Sequence, residues 1–440
     1  MFDAQQKQTK QSLQVKFAQS LAIFKDIVTL PEYKAIQDMS LGMLKSQSVI
    51  NLKIACSLNE KVTPKKVCER FTRHLNKKDL GPKLQSLIIT KQCRNIDPDT
   101  AIIVDESDIV KSRAKRMEGL KQVRDGSTGR VDQLGYDLLN IIAYQSRGES
   151  YEIKPISSDL IAQDIDPDGI FNITQDRLVQ IILSCNNRGV LVFDRGYDKR
   201  TMFRFIKDNA CNYVLRSKGK RGLIVDGQEK AFNDVAKSIK LTHSYNLEKS
   251  GQYLKCGIKR VAIRLNPHPV KHPETVETWL IVARYSKDEK DREGFFYLFC
   301  DFPGQLDLSL EQLILKALKM YRMRWKIEEV HRHIKQSYGW EKIQLTSYTR
   351  LQNMTQILLL TMCYLYSLKK FAGTYIQAFP SIMKYKNKNW KKIYGFVYYR
   401  ISMLLEACFS SVTRFNINPY KGKWHEGNQL IIPCLKNGGM

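Results

Sequence analysis

The residues of this 440-residue chain best equipped for chemistry are three acids, Asp105, Asp194 and Glu328. Phosphodiester cleavage needs an activated water and neutralisation of charge on the phosphorus oxygens. Two Mg²⁺ ions about 3.5–4 Å apart can supply both. Mg²⁺ takes hard oxygen ligands and keeps several of its waters, so a few carboxylates suffice. Asp105 ends the apolar run Ala101-Ile102-Ile103-Val104, and Asp194 ends Gly189-Val190-Leu191-Val192-Phe193. Both runs read as buried strands, and strand ends are where α/β sheets commonly place their sites. Taken singly, Asp105 also reads as a polar strand end or helix cap, and Asp194 as a turn former before Gly196. Asp108, three residues beyond Asp105, is a rival first ligand.

Glu328 belongs to a different element. Leu308-Ser309 opens a helix expected to run to about Gln336, with Ser309 as cap and Glu311 in the first turn, where negative charge suits the dipole. Tyr321, Arg324, Glu328 and Lys335 stand at offsets 0, 3, 7 and 14 along it. At about 100° per residue they share one ridge about 60° wide. Met320, Met323, Ile327, Val330 and Ile334 form a neighbouring apolar face, and His331 lies near the edge of the polar ridge. A carboxylate among cations can hold a metal ion while the cations hold phosphates. The bland alternative is a solvated face with a few favourable pairs.

The elements that must position these groups follow an α/β pattern. Strands are expected over Tyr136–Tyr144 and Ser150–Ile156, a helix over Thr174–Cys185 with Thr174 as its cap, a helix over roughly 198–208 and a strand over Asn212–Leu215. The order suits a mixed sheet flanked by helices. A catalytic α/β domain is thus expected over 96–216 and 311–370, split by a β-rich insertion over 217–310. The insertion has alternating segments at Thr278–Arg284 and Gly294–Phe299, with the charged loop 286–293 between them. Residues 1–95 read as a basic helical domain, with Thr63-Pro64 as a helix start; a helix–turn–helix and a plain basic helical domain both fit. Residues 371–440 read as a basic, aromatic region with one helix near 390–408 and a Gly-rich end.

Lys and Arg total 71 against 44 acidic residues, a formal net charge of +27. Such an excess attracts polyanions, so nucleic acid is the first partner to consider and an anionic membrane the second. The longest apolar run, Ile357 to Leu368, is 12 residues, against about 20 for a spanning helix, and the first residues lack the apolar stretch of a signal peptide. No membrane association is therefore expected. Ten cysteines occur with no CxxC pair, which argues against a zinc ribbon or a disulfide framework and suits a reducing cytoplasm. All ten are expected as buried or partly buried small hydrophobes.

The segment YRMRWKIEEVHRHIK, Tyr321 to Lys335, has the pattern Tyr, two residues, Arg, three residues, Glu, six residues, Lys. With VFDRGYD around Asp194, the basic strand end Val214-Leu215-Arg216-Ser217-Lys218, and IIVDESDIVKS with Ser107 two residues after Asp105, it resembles the DDE transposases of the cut-and-paste insertion-sequence group that carry the Tyr-Arg-Glu-Lys (YREK) signature. The resemblance spans about 100–370. It implies a ribonuclease-H-like mixed sheet flanked by helices, with a β-rich insertion before the glutamate helix. It implies Asp105, Asp194 and Glu328 as catalytic ligands of two Mg²⁺ ions, with Mn²⁺ as a substitute, cleaving double-stranded DNA at transposon ends and joining the 3′-OH to target DNA. Tyr321, Arg324, Lys335 and Arg216 would contact phosphates, with Lys218 beside them, and Trp279 would support a flipped base if ends are freed through a hairpin; read by itself, Trp279 suits a core aromatic equally well. Trp325 is expected to pack. Synapsis of two ends implies a homodimer, and the setting would be a prokaryotic cytoplasm, at the nucleoid. The alternatives are a nuclease or resolvase on the same fold, or a transposase-derived DNA-binding protein whose catalysis has lapsed; the intact acidic set counts against the latter.

Overall fold

The structure is a computed structural model. It describes residues 2–111, 113–114, 116–123, 129–148, 150–162, 169–247, 252–266, 274–286, 294–303, 307–379 and 396–412. Most of the charged loop (287–293), the start of the expected 390–408 helix and the Gly-rich end lie outside these residues.

Three strands form the parallel centre of the sheet. β1 (Ala101–Val110) pairs in parallel with β5 (Val190–Phe193), and β5 with β6 (Tyr213–Arg216). Their apolar runs are buried on both faces, as a central strand requires. Ala101, Ile103, Val190, Val192 and Val214 enter one core, while Ile102, Val104, Leu191, Phe193 and Leu215 enter the other. On the far side of β1 lies the antiparallel β3 (Gln133–Arg147), flanked by β2 (Lys121–Val123) and β4 (Ser150–Ile161).

The expected β-rich insertion supplies β7 (Leu223–Val225), β8 (Gln228–Lys230), β9 (His243–Leu247), β10 (Gln252–Arg264), β11 (Thr275–Ser286) and β12 (Phe295–Asp301). These strands do not form a separate sheet. β12 pairs with β6, so one 12-stranded sheet runs β2-β3-β1-β5-β6-β12-β11-β10-β7-β8, with β4 on β3 and β9 on β10.

Five helices precede β1: α1 (Phe2–Ala22), α2 (Leu30–Ser46), α3 (Asn51–Ser57), α4 (Pro64–Leu75) and α5 (Leu80–Cys93). α4 starts at Pro64 as its Thr-Pro pair predicts. On one sheet face lie α6 (Gly169–Ser184), α7 (Arg200–Asp208) and α8 (Phe232–Ser238). On the other lie α9 (Leu310–Met323), α10 (Trp325–Arg332) and the long buried α11 (Tyr348–Ser367). α12 (Ala372–Gln377) and α13 (Tyr398–Phe409) follow. The apolar faces of α1, α2, α4 and α5 share that second core with α11 and α13, so position 95 falls in a loop rather than between separate cores. α11 carries the 12-residue apolar run inside the protein; no helix is long and apolar enough to cross a membrane among the described residues.

Several sequence expectations need correcting. β1 does not stop at Asp105. It continues to Val110 because β3 keeps pairing with it, although its parallel ladder with β5 ends at Val104. Thr174 is not a cap: α6 begins five residues earlier, and the buried Thr174 hydroxyl donates to the Ile170 carbonyl at 2.6 Å. The glutamate helix is not continuous. It breaks at Arg324 and ends in a π-helical turn, His333–Ser337. Cys56 is exposed, not buried, and Cys434 lies outside the described residues.

Gly135 shows how tightly the strand carrying Asp105 is held. A β-carbon there would lie 2.2 Å from the Ile109 carbonyl oxygen and 2.8 Å from Val123 Cγ2. Gly135→Ala should therefore destabilise the protein by about 1–3 kcal/mol or more, the usual cost of overpacking. Gly294→Ala, which meets nothing within 4 Å, should change little in the same urea titration.

Candidate active site

Strand register brings two of the acids together. Val104 is paired with Phe193, and Phe193 with Leu215. The next residues along are Asp105, Asp194 and Arg216, three neighbours in a row where the parallel ladder ends. Side chains alternate across a strand, so all three project to the face that carries α9 and α10. α9 packs over β5 and β6, and α10 over β1 and β3. Ser309 starts α9 with a capping box, its hydroxyl accepting from the Gln312 amide at 3.2 Å. Met320, Ile327, Val330 and Ile334 are buried beneath, each contributing about 1.5–3 kcal/mol, and they fix which side of the helix faces the acids.

Arg324 joins the elements. Its Nη1 donates to Asp105 Oδ2 at 3.1 Å and to Glu328 Oε1 at 3.3 Å, and the residue is only 6% exposed. Its Nε is buried with no partner among the described residues. Beside it, Arg216 Nη1 donates to the Tyr321 hydroxyl at 3.4 Å. Lys335 lies 3.3 Å from Asp108 and 3.7 Å from Glu341. The ridge thus survives the helix break. Asp105 is the acid beside Glu328, while Asp108 is paired with Lys335.

Burial lifts the Asp105 carboxyl to about 7; Glu328 and Asp194 push it the same way, and Arg324 pulls it down. Three carboxylates close enough to feel one another in a partly buried site are a donor set for a hard divalent cation. Burial also holds the His331 imidazole neutral, down to about 3, helped by Lys335 and Arg324.

Asp194, Arg195, Arg216, Lys218 and Lys220 line a groove of about 540 Å³, together with Phe295 and Tyr297. Lys218 is exposed. One residue shaping this groove escaped the sequence reading. Asp198 is buried and accepts from Ser217 Oγ at 3.0 Å, the Lys218 amide at 2.7 Å and Arg221 Nε at 2.8 Å. It ties the turn after Asp194 to the strand end after Arg216. Its only sequence signal is its place at the end of VFDRGYD.

Of the two tryptophans, only Trp325 departs from expectation. Trp279 does not join the acids. It lies on β11, two strands beyond β6, half-buried beneath the Arg260 guanidinium at 5.3 Å. Trp325 does not pack: it is 65% exposed, with the Arg324 guanidinium 5.1 Å from its ring centre.

Residues 172–366 match the family described as transposase DDE domain. The match supports a DDE transposase. It runs from α6 through most of α11, includes Asp194 and Glu328, and begins beyond Asp105. No curated protein matches the chain.

The raised Asp105 carboxyl has a measurable consequence for the metal-free protein. Its folded-state value of about 7 exceeds the ordinary 3.8, so the folded chain binds the extra proton between those limits. Asp105 is therefore least costly to stability near pH 4 and costs on the order of a few kcal/mol once pH has risen through 7. Asp105→Asn should raise the melting temperature in chelator at pH 8, with the gain shrinking toward pH 4. A gain that grows toward acid pH would remove the account in which burial raises this carboxyl.

Proposed function

We propose that this protein is a DNA transposase that cuts double-stranded transposon ends and joins the freed 3′-OH to target DNA, with Asp105, Asp194 and Glu328 as the acidic catalytic set. The observation that carries this reading is the row Asp105–Asp194–Arg216 at the end of the parallel ladder, with Glu328 held against it through Arg324. The transposase DDE match over 172–366 supports it independently, and the net charge of +27 suits a polyanionic substrate.

Asp105 is central among the acids, so it would ligate two Mg²⁺ ions, one with Asp194 and one with Glu328; Mn²⁺ would substitute. When bound, such ions supply an activated nucleophile and neutralise the phosphorus oxygens. The chain's own groups do the positioning. Arg324, freed from the carboxylates, turns its fork to a phosphate near the cut end. Arg216 and Tyr321 hold a second phosphate as a pair, Lys218 draws the backbone along the groove, and Lys335, beside Asp108, takes a further phosphate. Asp198 keeps Arg216 and Lys218 in register through the Ser217 hydroxyl and the Lys218 amide. A homodimer would bring two ends together, in a prokaryotic cytoplasm at the nucleoid. Trp279, four strands from Asp105, would touch a hairpin only where the DNA crosses β12 and β11.

The test uses the DNA flanking the gene as substrate, with Mg²⁺. Glu328→Gln and Asp105→Asn should each lower cleavage more than about 100-fold, beyond the 10–100-fold typical of groups that only support a ligand, and leave DNA binding nearly intact. Asp108→Asn should be milder. Unchanged cleavage in Glu328→Gln would remove the central claim, and a reversed ranking would move the first ligand to Asp108.

A further inference from the structure

His331 has no part in the scheme above. It stands one helical turn after Glu328 on α10, 5% exposed. One of its ring nitrogens and one carboxylate oxygen each from Asp105 and Glu328 all lie within 4.8 Å of one another. Its Nε2 is buried with no hydrogen-bond partner among the described residues. A buried polar group left unmade costs about 1–3 kcal/mol. Two residues on, His333 shows how this region treats a structural histidine: Tyr366 is 3.0 Å from its Nδ1 and Ser402 2.9 Å from its Nε2. His331, which carries this unpartnered nitrogen, is a member of the acidic cluster.

The geometry points to His331 as a third ligand, through a ring nitrogen, for the divalent cation between Asp105 and Glu328. This rests on the metal-site reading above and goes beyond it, because it makes the two positions chemically unequal. The Asp105–Asp194 position offers oxygen only and suits Mg²⁺. The Asp105–Glu328–His331 position adds imidazole, which favours transition metals in the order Co²⁺ above Mn²⁺ and contributes little to Mg²⁺. Ligand bonds of about 2.1 Å place octahedral ligands at most about 4.2 Å apart. Three ligands on one such ion include at least two neighbouring pairs about 3 Å apart, so side-chain rotation on the order of 1–2 Å must draw the observed cluster in.

The test is spin-echo EPR of Mn²⁺ added to the full chain without DNA, with affinities from calorimetry. The wild type should show a directly coordinated nitrogen. His331→Gln, checked for folding by its melting curve, should lose that nitrogen signal and weaken Mn²⁺ at least about tenfold, while Mg²⁺ affinity moves less than about threefold. A wild-type spectrum without nitrogen, which needs no variant to fold, overturns the proposal. So does a nitrogen signal that persists in His331→Gln. Asp105→Asn and Glu328→Gln separate the two levels. If they also leave Mn²⁺ binding unchanged, the metal site itself falls. If they abolish binding while the nitrogen is missing, only the role of His331 falls.

Discussion

The contact of the Arg324 guanidinium with Asp105 and Glu328 is the constraint around which the centre of this protein is arranged. Two like charges about 4 Å apart near a protein surface repel by about 4 kcal/mol, and burial adds to the cost. A single cation, itself almost fully buried, lies within 3.1–3.3 Å of both carboxylates. The helix breaks at this same residue. Around Arg324 the backbone bonds tighten to three-residue steps, with the Arg324 amide on the Tyr321 carbonyl and the Ile327 amide on the Arg324 carbonyl, both at 3.1 Å. No proline or glycine explains the break. The side chain's demand for the acids coincides with it.

Much of this centre was legible from residue types and spacing. Asp105 and Asp194 each ended an apolar run, and the register indeed sets them side by side. Helical periodicity placed Arg324 and Glu328 on one ridge, and their contact bears that out. Interval counting assumed a continuous helix, and three- and four-residue offsets tolerate one tightened step, so the break did no harm to the reading.

What escaped depended on partners distant in sequence. Asp-Glu-Ser-Asp after Val104 has the composition of a turn, yet β3 pairs through it and keeps it extended. Thr174 resembles a cap only until the preceding turn of α6 is seen. Asp198 is a single polar residue whose weight comes from its burial, which no local pattern reveals. The N-terminal helices looked self-sufficient because amphipathic faces do not say what covers them; here α11 and α13 do.

The insertion deserves a different view in light of the strand order. It leaves after β6 and comes back as β12, which lies directly against β6. Without this excursion Tyr213–Arg216 would be the rim of the sheet, with its backbone amides and carbonyls bare along one side. Rims of that kind recruit foreign strands and seed aggregation. The insertion therefore also serves as a guard rail for the strands that lead into Asp105, Asp194 and Arg216. A shortened chain would inherit a sticky border immediately beside its acidic row.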